Sequence, residues 1–476
     1  MTIFRPILSN LEDENKIIQE LTGKLNISPI TAKILINRGI CSLDQAMEFL
    51  NPSLDKLLDP FELQDMDKAV KRIEQAAKNN EHITIYGDYD VDGITAASLL
   101  YKFLTKNGCS VDVYLPDRHI EGYGINIDAL DIIHGRGTDL LISVDCGITA
   151  IEETEYANEL GMDVIITDHH QCQRVLPSAV AVVNPSREPK LYNKYQLAGV
   201  GVAGKLVHAL GGVKALEEYL DLIALGTIAD VVPLIGENRI FAALGLEKIN
   251  AKPRPGIQAL IEVSRLGKSK IDAGKVAFGL APRLNAAGRM AHPRDGFLLL
   301  VAKNMEEAMP LAAALEENNK KRQDIEAAVI RDAEEMIEND VDLSRDRIMV
   351  LGQEGWDSGV IGIAASKLTD KYNRPCLLIS ISGDEGTGSG RSIEGFDLYK
   401  ALSSCSELFM RFGGHQQAAG FSISVDNIDK LREHLLDYTQ AHIDDDMLLP
   451  KFYFDTVLNP SDINYNLIKE LERLDP

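Results

Sequence analysis

The chain has 476 residues, a formal net charge of −23 and 45% hydrophobic residues. This length predicts two or three globular domains, and the negative charge argues mildly against a polyanionic partner, although a basic channel can lie on an acidic surface. The sequence has no apolar run long enough to cross a bilayer and no signal-peptide pattern, and its six scattered cysteines form no Cys-x-x-Cys pair. We therefore expect a cytoplasmic protein with no membrane contact, disulfide framework or zinc ribbon.

Residues up to about 58 have a helical, polar-faced pattern. Ser28 is a capping serine, Pro29 follows it at the first helical position, and Gly39 ends the pattern. We expect a small helical segment over residues 1–58.

From Ile83 onward, short apolar segments alternate with helical ones. The predicted strands cover residues 83–86, 110–115, 140–144, 163–167 and 180–183. Strands that alternate with helices predict an α/β fold with a parallel sheet. Ligands of such sheets bind outside the carboxyl ends of the strands.

Three carboxylates follow the first of these strands at every second position. Asp88, Asp90 and Asp92 concentrate negative charge that a cation or a proton must offset. A calcium loop of the EF-hand type is excluded because its twelfth position is Leu99 instead of a glutamate and because a strand precedes it. An exposed acidic turn is the alternative for this stretch taken alone.

Further acidic and imidazole side chains follow other elements. Asp145 comes directly after the 140–144 strand, Asp168, His169 and His170 come after the 163–167 strand, and Asp230 ends an apolar helical segment. Asp145 alone could be a turn residue, and the two histidines could be surface residues. Because all these strand ends meet at one edge of the sheet, we expect a metal site there. The predominance of carboxylates favours magnesium or manganese over zinc.

A glycine pattern at Gly199, Gly201 and Gly204 matches the dinucleotide-binding fingerprint. A polar segment precedes it where that fingerprint requires a strand, so we interpret it as close helix packing and not as a nicotinamide site.

The second half of the chain predicts another α/β unit. A long charged helix is predicted over residues 306–337, and apolar strands begin near Arg347. Two glycine-rich stretches follow, around Ser389 and Arg391 and around His415. Glycines beside serine, arginine and histidine suit close backbone approach to a phosphate, although ordinary turns around one buried arginine would have the same pattern.

Five blocks occur in an order that resembles the DHH phosphoesterase superfamily: Asp88-Tyr-Asp-Val-Asp-Gly93, Val144-Asp-Cys-Gly147, Asp168-His-His170, Ala229-Asp-Val-Val-Pro233 and Gly413-Gly-His415. The match extends over nearly the whole chain. Within the superfamily, the sequence most closely resembles the RecJ family of single-stranded-DNA-specific exonucleases, which act in DNA repair and recombination.

This resemblance implies a site for two manganese or magnesium ions. Asp90 would bind one ion, Asp145 would bridge the two, and the second ion would be held by Asp92, His169 and Asp230. Asp88 and His170 would complete the catalytic group, with His170 next to the scissile phosphate. Two ions about 3.5–4 Å apart can lower the pKa of a water molecule and stabilise a leaving oxygen.

The resemblance also implies 5′-to-3′ release of 5′-mononucleotides. The terminal phosphate would be held by Ser389, Arg391, Arg289 and Arg118, and His415 would lie at the cleft between the domains. Single-stranded DNA would be the substrate, with RNA as the alternative, and a helicase or single-strand-binding protein would be a partner. Two rival functions stay open: an oligoribonuclease or cyclic-dinucleotide phosphodiesterase of the same superfamily, and an inactive nucleic-acid-binding subunit of a replication complex.

The expected organisation has five segments: an N-terminal helical segment (1–58), a DHH catalytic domain (59–300), a linker helix (301–342), a smaller DHHA1-like α/β substrate-binding domain (343–445) and the start of an OB-fold (446–476). Members of the resembled family usually carry a complete OB-fold, whereas here only Phe452 to Val457 has the pattern of its first strand. Either truncation or a short homologue would explain this difference.

Overall fold

The computed structural model describes residues 3–7, 13–118, 120–188 and 196–476, and the chain divides into two compact units. The larger unit comprises Ser9–Asn319 and Leu458–Pro476, and the smaller unit comprises Met1–Leu8 and Lys320–Val457. The domain boundaries predicted from the sequence stay predictions. No helix among the described residues is long and apolar enough to cross a membrane.

The described strands are β1 (Ile3–Pro6), β2 (His82–Gly87), β3 (Ser110–Tyr114), β4 (Leu140–Val144), β5 (Asp163–Thr167), β6 (Ala181–Val183), β7 (Met349–Glu354), β8 (Cys376–Ser382), β9 (Glu385–Arg391), β10 (Phe409–His415), β11 (Ala418–Ser424) and β12 (Lys451–Phe454). The described α-helices of six residues or more are α1 (Glu14–Leu25), α2 (Pro29–Asn37), α3 (Leu43–Leu50), α4 (Met66–Asn79), α5 (Val91–Lys106), α6 (Ile127–Gly135), α7 (Ile151–Glu159), α8 (Gly199–Glu217), α9 (Leu220–Ala229), α10 (Gly236–Ala251), α11 (Pro255–Val263), α12 (Ala281–Met290), α13 (Arg294–Val301), α14 (Met305–Asp340), α15 (Ile361–Tyr372), α16 (Leu398–Ser403), α17 (Ile428–His442) and α18 (Tyr465–Glu472).

The larger unit contains the parallel sheet that the sequence predicts. Its strand order is β3-β2-β4-β5-β6, and every pair is parallel. In register, Gly87 lies opposite Val144, and Val144 lies opposite Thr167. The last residues of β2, β4 and β5 are therefore aligned, and the residues that follow them start side by side at the carboxyl edge of the sheet.

Both faces of this sheet are covered, which explains why its central strands are apolar throughout. On β4, Leu140, Ile142 and Val144 contribute to one buried hydrophobic cluster, whereas Leu141 contributes to a second cluster. The two clusters lie on opposite faces because successive side chains of a strand alternate. Central strands that are buried on both faces thus support the row of strand ends.

The N-terminal helices belong to the larger unit, and the last helix packs against them. Glu470 of α18 accepts hydrogen bonds from the Ser28 amide at 2.7 Å and from the Thr31 hydroxyl at 2.6 Å. The ion pair between Lys205 and Glu237 is fully buried, at 2.8 Å. Lys205 also donates to Leu58 O at 2.6 Å, so this pair ties the end of the helical segment to the sheet-containing core.

The smaller unit has a mixed five-stranded sheet in the order β10-β11-β9-β8-β7, in which only β7 and β8 pair in parallel. A separate parallel pair joins β1 to β12. The helical interpretation of the first 58 residues was therefore wrong for Ile3–Pro6, because four residues are too few to show a period. The OB-fold stays a prediction, since one strand does not define that fold.

The two glycine-rich stretches of the smaller unit are strands and not turns. Gly388 lies on β9 directly opposite Phe421 of β11, and a Cβ at this glycine would be 2.1 Å from the Phe421 ring. Gly388 is therefore required by packing of the aromatic ring, which a pattern of glycines alone does not reveal. The long helix predicted over residues 306–337 is present as α14.

Candidate metal centre

Three neighbouring strands deliver the first set of polar side chains. Asp88, Asp145 and Asp168 each follow one of the aligned strand ends of β2, β4 and β5. All three are buried, with relative exposures of 4%, 2% and 1%. The backbone N–H of Asp145 donates to Thr167 O at 3.0 Å, which extends the pairing of β4 with β5 by one residue.

The start of α5 adds two more carboxylates. Asp90 is the N-cap of this helix and accepts a hydrogen bond from the Gly93 amide at 3.1 Å. Asp92 lies one residue inside the helix and is 1% exposed. It accepts hydrogen bonds from the amides of Gly199 at 2.6 Å and Val200 at 2.8 Å. These amides start α8, where unpaired N–H groups and the helix dipole favour a negative charge.

The predicted ligands converge in three overlapping groups, in each of which the potential ligand atoms lie within 4.8 Å of one another. The groups are Asp88, Asp90 and Asp145; Asp92, His169 and Asp230; and Asp145, His169 and His170. Asp145 and His169 each belong to two groups. The structure thus brings together every residue that the sequence analysis assigned to the metal or to catalysis.

Unsatisfied carboxylate oxygens show that this cluster fits divalent cations. Three buried carboxylate oxygens of this cluster have no hydrogen-bond partner among the described residues: Asp88 Oδ1, Asp145 Oδ1 and Asp230 Oδ2. Burial, followed by the nearby charge of Asp90, raises the pKa of Asp88 to about 8 and that of Asp230 to about 7. Burial and neighbouring carboxylates also raise the pKa values of Asp92 and Asp145. Hard cations would remove this repulsion, and carboxylate oxygens are the ligands they prefer.

The imidazole of His169 faces the same carboxylates. Its Nε2 lies 3.2 Å from Asp145 Oδ1, 3.7 Å from Asp230 Oδ2 and 4.0 Å from Asp92 Oδ2. Burial, followed by the charge of His170, lowers the pKa of His169 to about 4. A neutral imidazole can offer a lone pair to a cation, which makes His169 suitable as a nitrogen ligand.

Asp168 positions its neighbours and lies outside the three groups. Its carboxylate accepts hydrogen bonds from the amides of Ile148, His169 and His170 and from His170 Nδ1 at 2.7 Å. Burial alone would raise the pKa of Asp168, but the hydrogen bonds and charge of His170, with the amide of Ile148, together outweigh it and lower the pKa. Burial lowers the pKa of His170, but its hydrogen bond to Asp168 and the charges of Asp168, Asp230 and Asp88 together raise it above its ordinary value.

Gly199 packs against the cluster, a contact that the sequence analysis did not identify. A Cβ at Gly199 would lie 2.5 Å from Asp145 Oδ1 and 2.6 Å from Asp145 Cβ. Only glycine therefore allows the start of α8 to approach Asp145 while its amides bind Asp92. The glycine pattern was correctly interpreted as close packing, but nothing in the sequence shows that Asp145 is what packs there.

Two arginines lie at the rim of the cluster. The guanidinium of Arg118 stands over the ring of Tyr89, 5.1 Å from its centroid. Arg289 lies near enough to affect the same tyrosine electrostatically. The charge of Arg118 also acts on the Asp88 carboxyl, and a Cβ at Gly288, the residue before Arg289, would lie 2.7 Å from Tyr89 O.

In the smaller unit, the three predicted phosphate-binding residues share one face of the sheet. Arg391 and His415 both lie directly opposite Ala418, and Ser389 is two residues before Arg391 on β9. Residues directly opposite on antiparallel strands project to the same face. Arg391 is half-buried and donates to Ser389 Oγ at 3.2 Å and Gly390 O at 2.8 Å. Burial lowers its pKa.

The first turn of α15 lies against this face. A Cβ at Gly362 would be 2.9 Å from Ser389 Oγ and 3.2 Å from Arg391 Nη2. The N-terminus of a helix and a guanidinium group each favour negative charge. The sequence analysis did not find Gly362, which is 27 residues before Ser389.

Two family models match the chain. The N-terminal domain of the DHH family matches residues 82–227, and the DHHA1 domain matches residues 345–441. The single-stranded-DNA-specific exonuclease RecJ of Escherichia coli is 34% identical over 475 residues, which is 94% of this chain and 81% of that protein. The chain belongs to the RecJ family.

Other members of the RecJ family agree with this assignment. The RecJ exonuclease of Bacillus subtilis is 41% identical over 98% of this chain, and the chain spans 59% of its length. The crystal structure of RecJ in complex with Mn²⁺ from Thermus thermophilus superposes with a TM-score of 0.86 at 30% identity, covering 100% of this chain and 68% of that one. The corresponding Mg²⁺ complex superposes with a TM-score of 0.79. The predicted α/β fold with a second, smaller α/β domain is confirmed.

We expect the metal-free protein to lose stability as pH rises from about 5 to 8. The pKa values of Asp88 and Asp230 are raised from 3.8 to about 8 and about 7, so the folded protein binds these protons more tightly than the unfolded chain. The stabilisation that comes from protonating Asp88 and Asp230 is complete below 3.8, their pKa in the unfolded chain. It is lost as pH rises through their pKa values in the folded protein. The maximum loss is about 1.4 kcal/mol per pH unit for each carboxyl. Urea unfolding in chelator at several pH values measures it.

Saturating Mn²⁺ should remove this loss, because a bound cation replaces the protons as the partner of the carboxylates. Asp88→Asn should reduce the pH dependence in chelator, whereas Asp67→Asn, which changes an exposed carboxylate on α4, should leave it unchanged. An identical pH dependence with and without Mn²⁺ would be inconsistent with a cation site in this cluster.

Proposed function

We propose that this chain is a metal-dependent exonuclease that degrades single-stranded DNA from the 5′ end to 5′-mononucleotides, in DNA repair and recombination. The observation that carries the proposal is the convergence of seven carboxylate and imidazole residues at one edge of a buried sheet. Membership of the RecJ family, whose named members are single-stranded-DNA-specific exonucleases, supports the same substrate and reaction.

Two ions, Mn²⁺ or Mg²⁺, would be held by this chain's own ligands. Asp90 would bind one ion, Asp145 would bridge, and the second ion would be held by Asp92, His169 and Asp230. Bound there, the ions would lower the pKa of a water molecule and stabilise the negative charge of the reacting phosphate. The amides of Gly199 and Val200 would keep Asp92 oriented, since both of its oxygens accept a hydrogen bond from α8.

His170 would act directly on the phosphodiester. Its Nδ1 is hydrogen-bonded to Asp168, which leaves Nε2 as the donor to a phosphate oxygen or to the departing O3′. Release of a 5′-mononucleotide forms a bond between the water oxygen and phosphorus, breaks the P–O3′ bond and transfers a proton to O3′. The raised pKa of His170 increases the protonated fraction that can supply this proton. Asp88 would contribute its carboxylate to the catalytic group beside Asp90 and Asp145.

The 5′-terminal phosphate would be bound by Arg391 and Ser389, beside the first turn of α15. Arg118 and Arg289 would bind phosphate oxygens at the rim of the metal cluster, and His415 would contribute from the same sheet face as Arg391. The close packing of Gly362 on Ser389 and Arg391 supports this assignment, because the missing side chain lets the first turn of α15 approach both residues.

Arg391→Ala should raise the KM for 5′-phosphorylated strands about ten- to a hundredfold, since a charge-assisted bidentate contact contributes about 1.5–3 kcal/mol. Arg391→Lys should have an intermediate effect, and 5′-hydroxyl strands should respond much less. Arg345→Ala is the control, because Arg345 is an exposed arginine of the same unit with 76% side-chain exposure. Equal losses on 5′-phosphate and 5′-hydroxyl strands would remove Arg391 from the terminal-phosphate site.

Digestion of end-labelled substrates tests the proposed function. We expect 5′-mononucleotides from single-stranded DNA in Mn²⁺ or Mg²⁺ and no products in chelator. Preferential cleavage of short RNA or of a cyclic dinucleotide would favour the alternative phosphodiesterase. Strand binding without products in any metal would favour the inactive binding subunit. None of the relatives described above supports either alternative.

A helicase or a single-strand-binding protein is the proposed partner class, since either would supply unpaired strands to a nuclease of this specificity. We also propose a cytoplasmic location. All six cysteines are free thiols, as is usual in a reducing compartment.

A further inference from the structure

A cleft of about 680 Å³ lies along the β3 edge of the larger sheet. Its walls come from β3, from the end of α6 and from the segment that leads from α12 into α13. None of its lining residues belongs to the metal cluster. A volume of this size is in the range of small-molecule sites and can hold a nucleotide.

Positive charge is concentrated in this cleft, although the whole chain carries a net charge of −23. Arg136 and Arg294 both line it and are exposed, and neither forms an ion pair with a carboxylate among the described residues. His292 Nδ1 accepts a hydrogen bond from the Arg294 amide at 3.2 Å, so its proton is on Nε2 and is available to an acceptor. Asp112 is the single acidic residue in the described lining.

Aromatic rings lie beside these cations. Tyr114 stacks on Tyr86 with ring centroids 5.4 Å apart, and the Arg136 guanidinium lies 5.6 Å from the centre of the Tyr114 ring. Tyr101 and Phe297 meet edge to face at 5.3 Å. Rigid aromatic rings next to arginines are the combination that binds unpaired bases and their phosphates.

Both walls of the cleft continue in the chain to the rim of the metal cluster. β3 ends at Tyr114, and Arg118 follows four residues later. His292 comes three residues after Arg289. The cleft therefore lies within three or four residues, along two chain segments, of the arginines at the rim of the cluster.

We propose that this cleft binds one nucleotide unit of the single strand at a position away from the scissile phosphate. The base lies against Tyr114, and the flanking phosphates contact Arg136 and Arg294. This inference rests on the proposed function, because it takes a single strand as the ligand. A free nucleotide also carries a base and a phosphate, so the experiment must distinguish it from the strand as the ligand.

The test is the salt dependence of binding, measured by fluorescence anisotropy with a labelled 12-nucleotide single strand in chelator, so that the strand is not consumed. Each phosphate contact on a single strand contributes about 0.7 to the slope of log K against log salt. Arg136→Ala and Arg294→Ala should each lower that slope by about 0.7 and weaken binding about tenfold at low salt. The double variant should lower the slope by about 1.4.

Lys78→Ala is the matched control. Lys78 is an exposed cation on α4, which packs on β6 at the opposite edge of the sheet, so its loss should leave the slope unchanged. Asp112→Asn should act in the opposite direction and tighten binding, because it removes the acidic group of the cleft. These positions are exposed, so the variants should unfold at the same temperature as the parent protein.

Unchanged slopes in both arginine variants, or a slope lowered equally by Lys78→Ala, would overturn the inference. Competition with a mononucleotide distinguishes the single strand from a free nucleotide as the ligand of the cleft. Half-displacement of the strand by a mononucleotide at or below the dissociation constant of the strand itself would show that a free nucleotide binds at least as tightly, and it would overturn the strand assignment. Failure of the proposed function has a different outcome: arginine-dependent strand binding would persist, but no metal would produce mononucleotides.

Discussion

Asp145→Asn should lower the rate of hydrolysis of 5′-phosphorylated single-stranded DNA about a thousandfold or more in saturating Mn²⁺. Asp145 belongs to two of the three ligand groups, and its Oδ1 lies 3.2 Å from His169 Nε2. An amide in its place would supply a neutral oxygen and a nitrogen that cannot bind a cation. Both ion positions would be changed at once, so several kcal/mol of transition-state stabilisation should be lost.

The fold should survive this change. Asp145 has a φ of 61°, a left-handed conformation that asparagine tolerates well, and its backbone bond to Thr167 is retained. Since the substitution also removes one of several repelling charges, the melting temperature in chelator should not fall. Mn²⁺ should raise the melting temperature of the parent protein but not that of the variant. A well-folded variant with more than about a tenth of the parent rate would contradict the bridging role, because a lost ligand of this kind should cost far more.

Gly199→Ala should lower the rate by about a hundredfold or more, although it touches no substrate. The new Cβ would lie 2.5 Å from Asp145 Oδ1, so either the carboxylate or the start of α8 must move. Movement of α8 would also withdraw the amides that bind Asp92 at 2.6 and 2.8 Å. A displacement of about 1 Å in a catalytic group is sufficient for a loss of this size.

Gly201→Ala is the matched control on the same helix. Its Cβ would meet the Leu197 side chain at 3.2 Å, a contact that a small side-chain shift can relieve, and it is not in contact with Asp145. We expect this variant to keep a rate within a few-fold of the parent, with unchanged Mn²⁺ dependence. If Gly199→Ala kept the parent rate at the same Mn²⁺ requirement, the packing of Gly199 on Asp145 would have no functional role.

The sequence by itself determined the fold class and the edge of the sheet where the site lies. The strands of the larger sheet are short and, apart from β3 at the edge, mainly apolar, a local property that is visible along the chain. A parallel sheet then places all carboxyl ends on one side, so Asp88, Asp145 and His169 could be assigned to one site without coordinates. The register of Gly87, Val144 and Thr167 agrees with that rule.

Only the tertiary structure decided how the ligands are held and what surrounds them. Asp92 is anchored by amides more than a hundred residues away, and Gly199 packs on Asp145 from a helix with an unrelated pattern. The glycines beside Arg391 belong to a strand on which Phe421 packs, and Gly362 reaches the same arginine from another helix. The cleft at the β3 edge unites α6, β3 and the start of α13. Local patterns record which face of an element is apolar, but contacts between distant segments depend on how whole elements pack, and that packing is not written in any single stretch of residues.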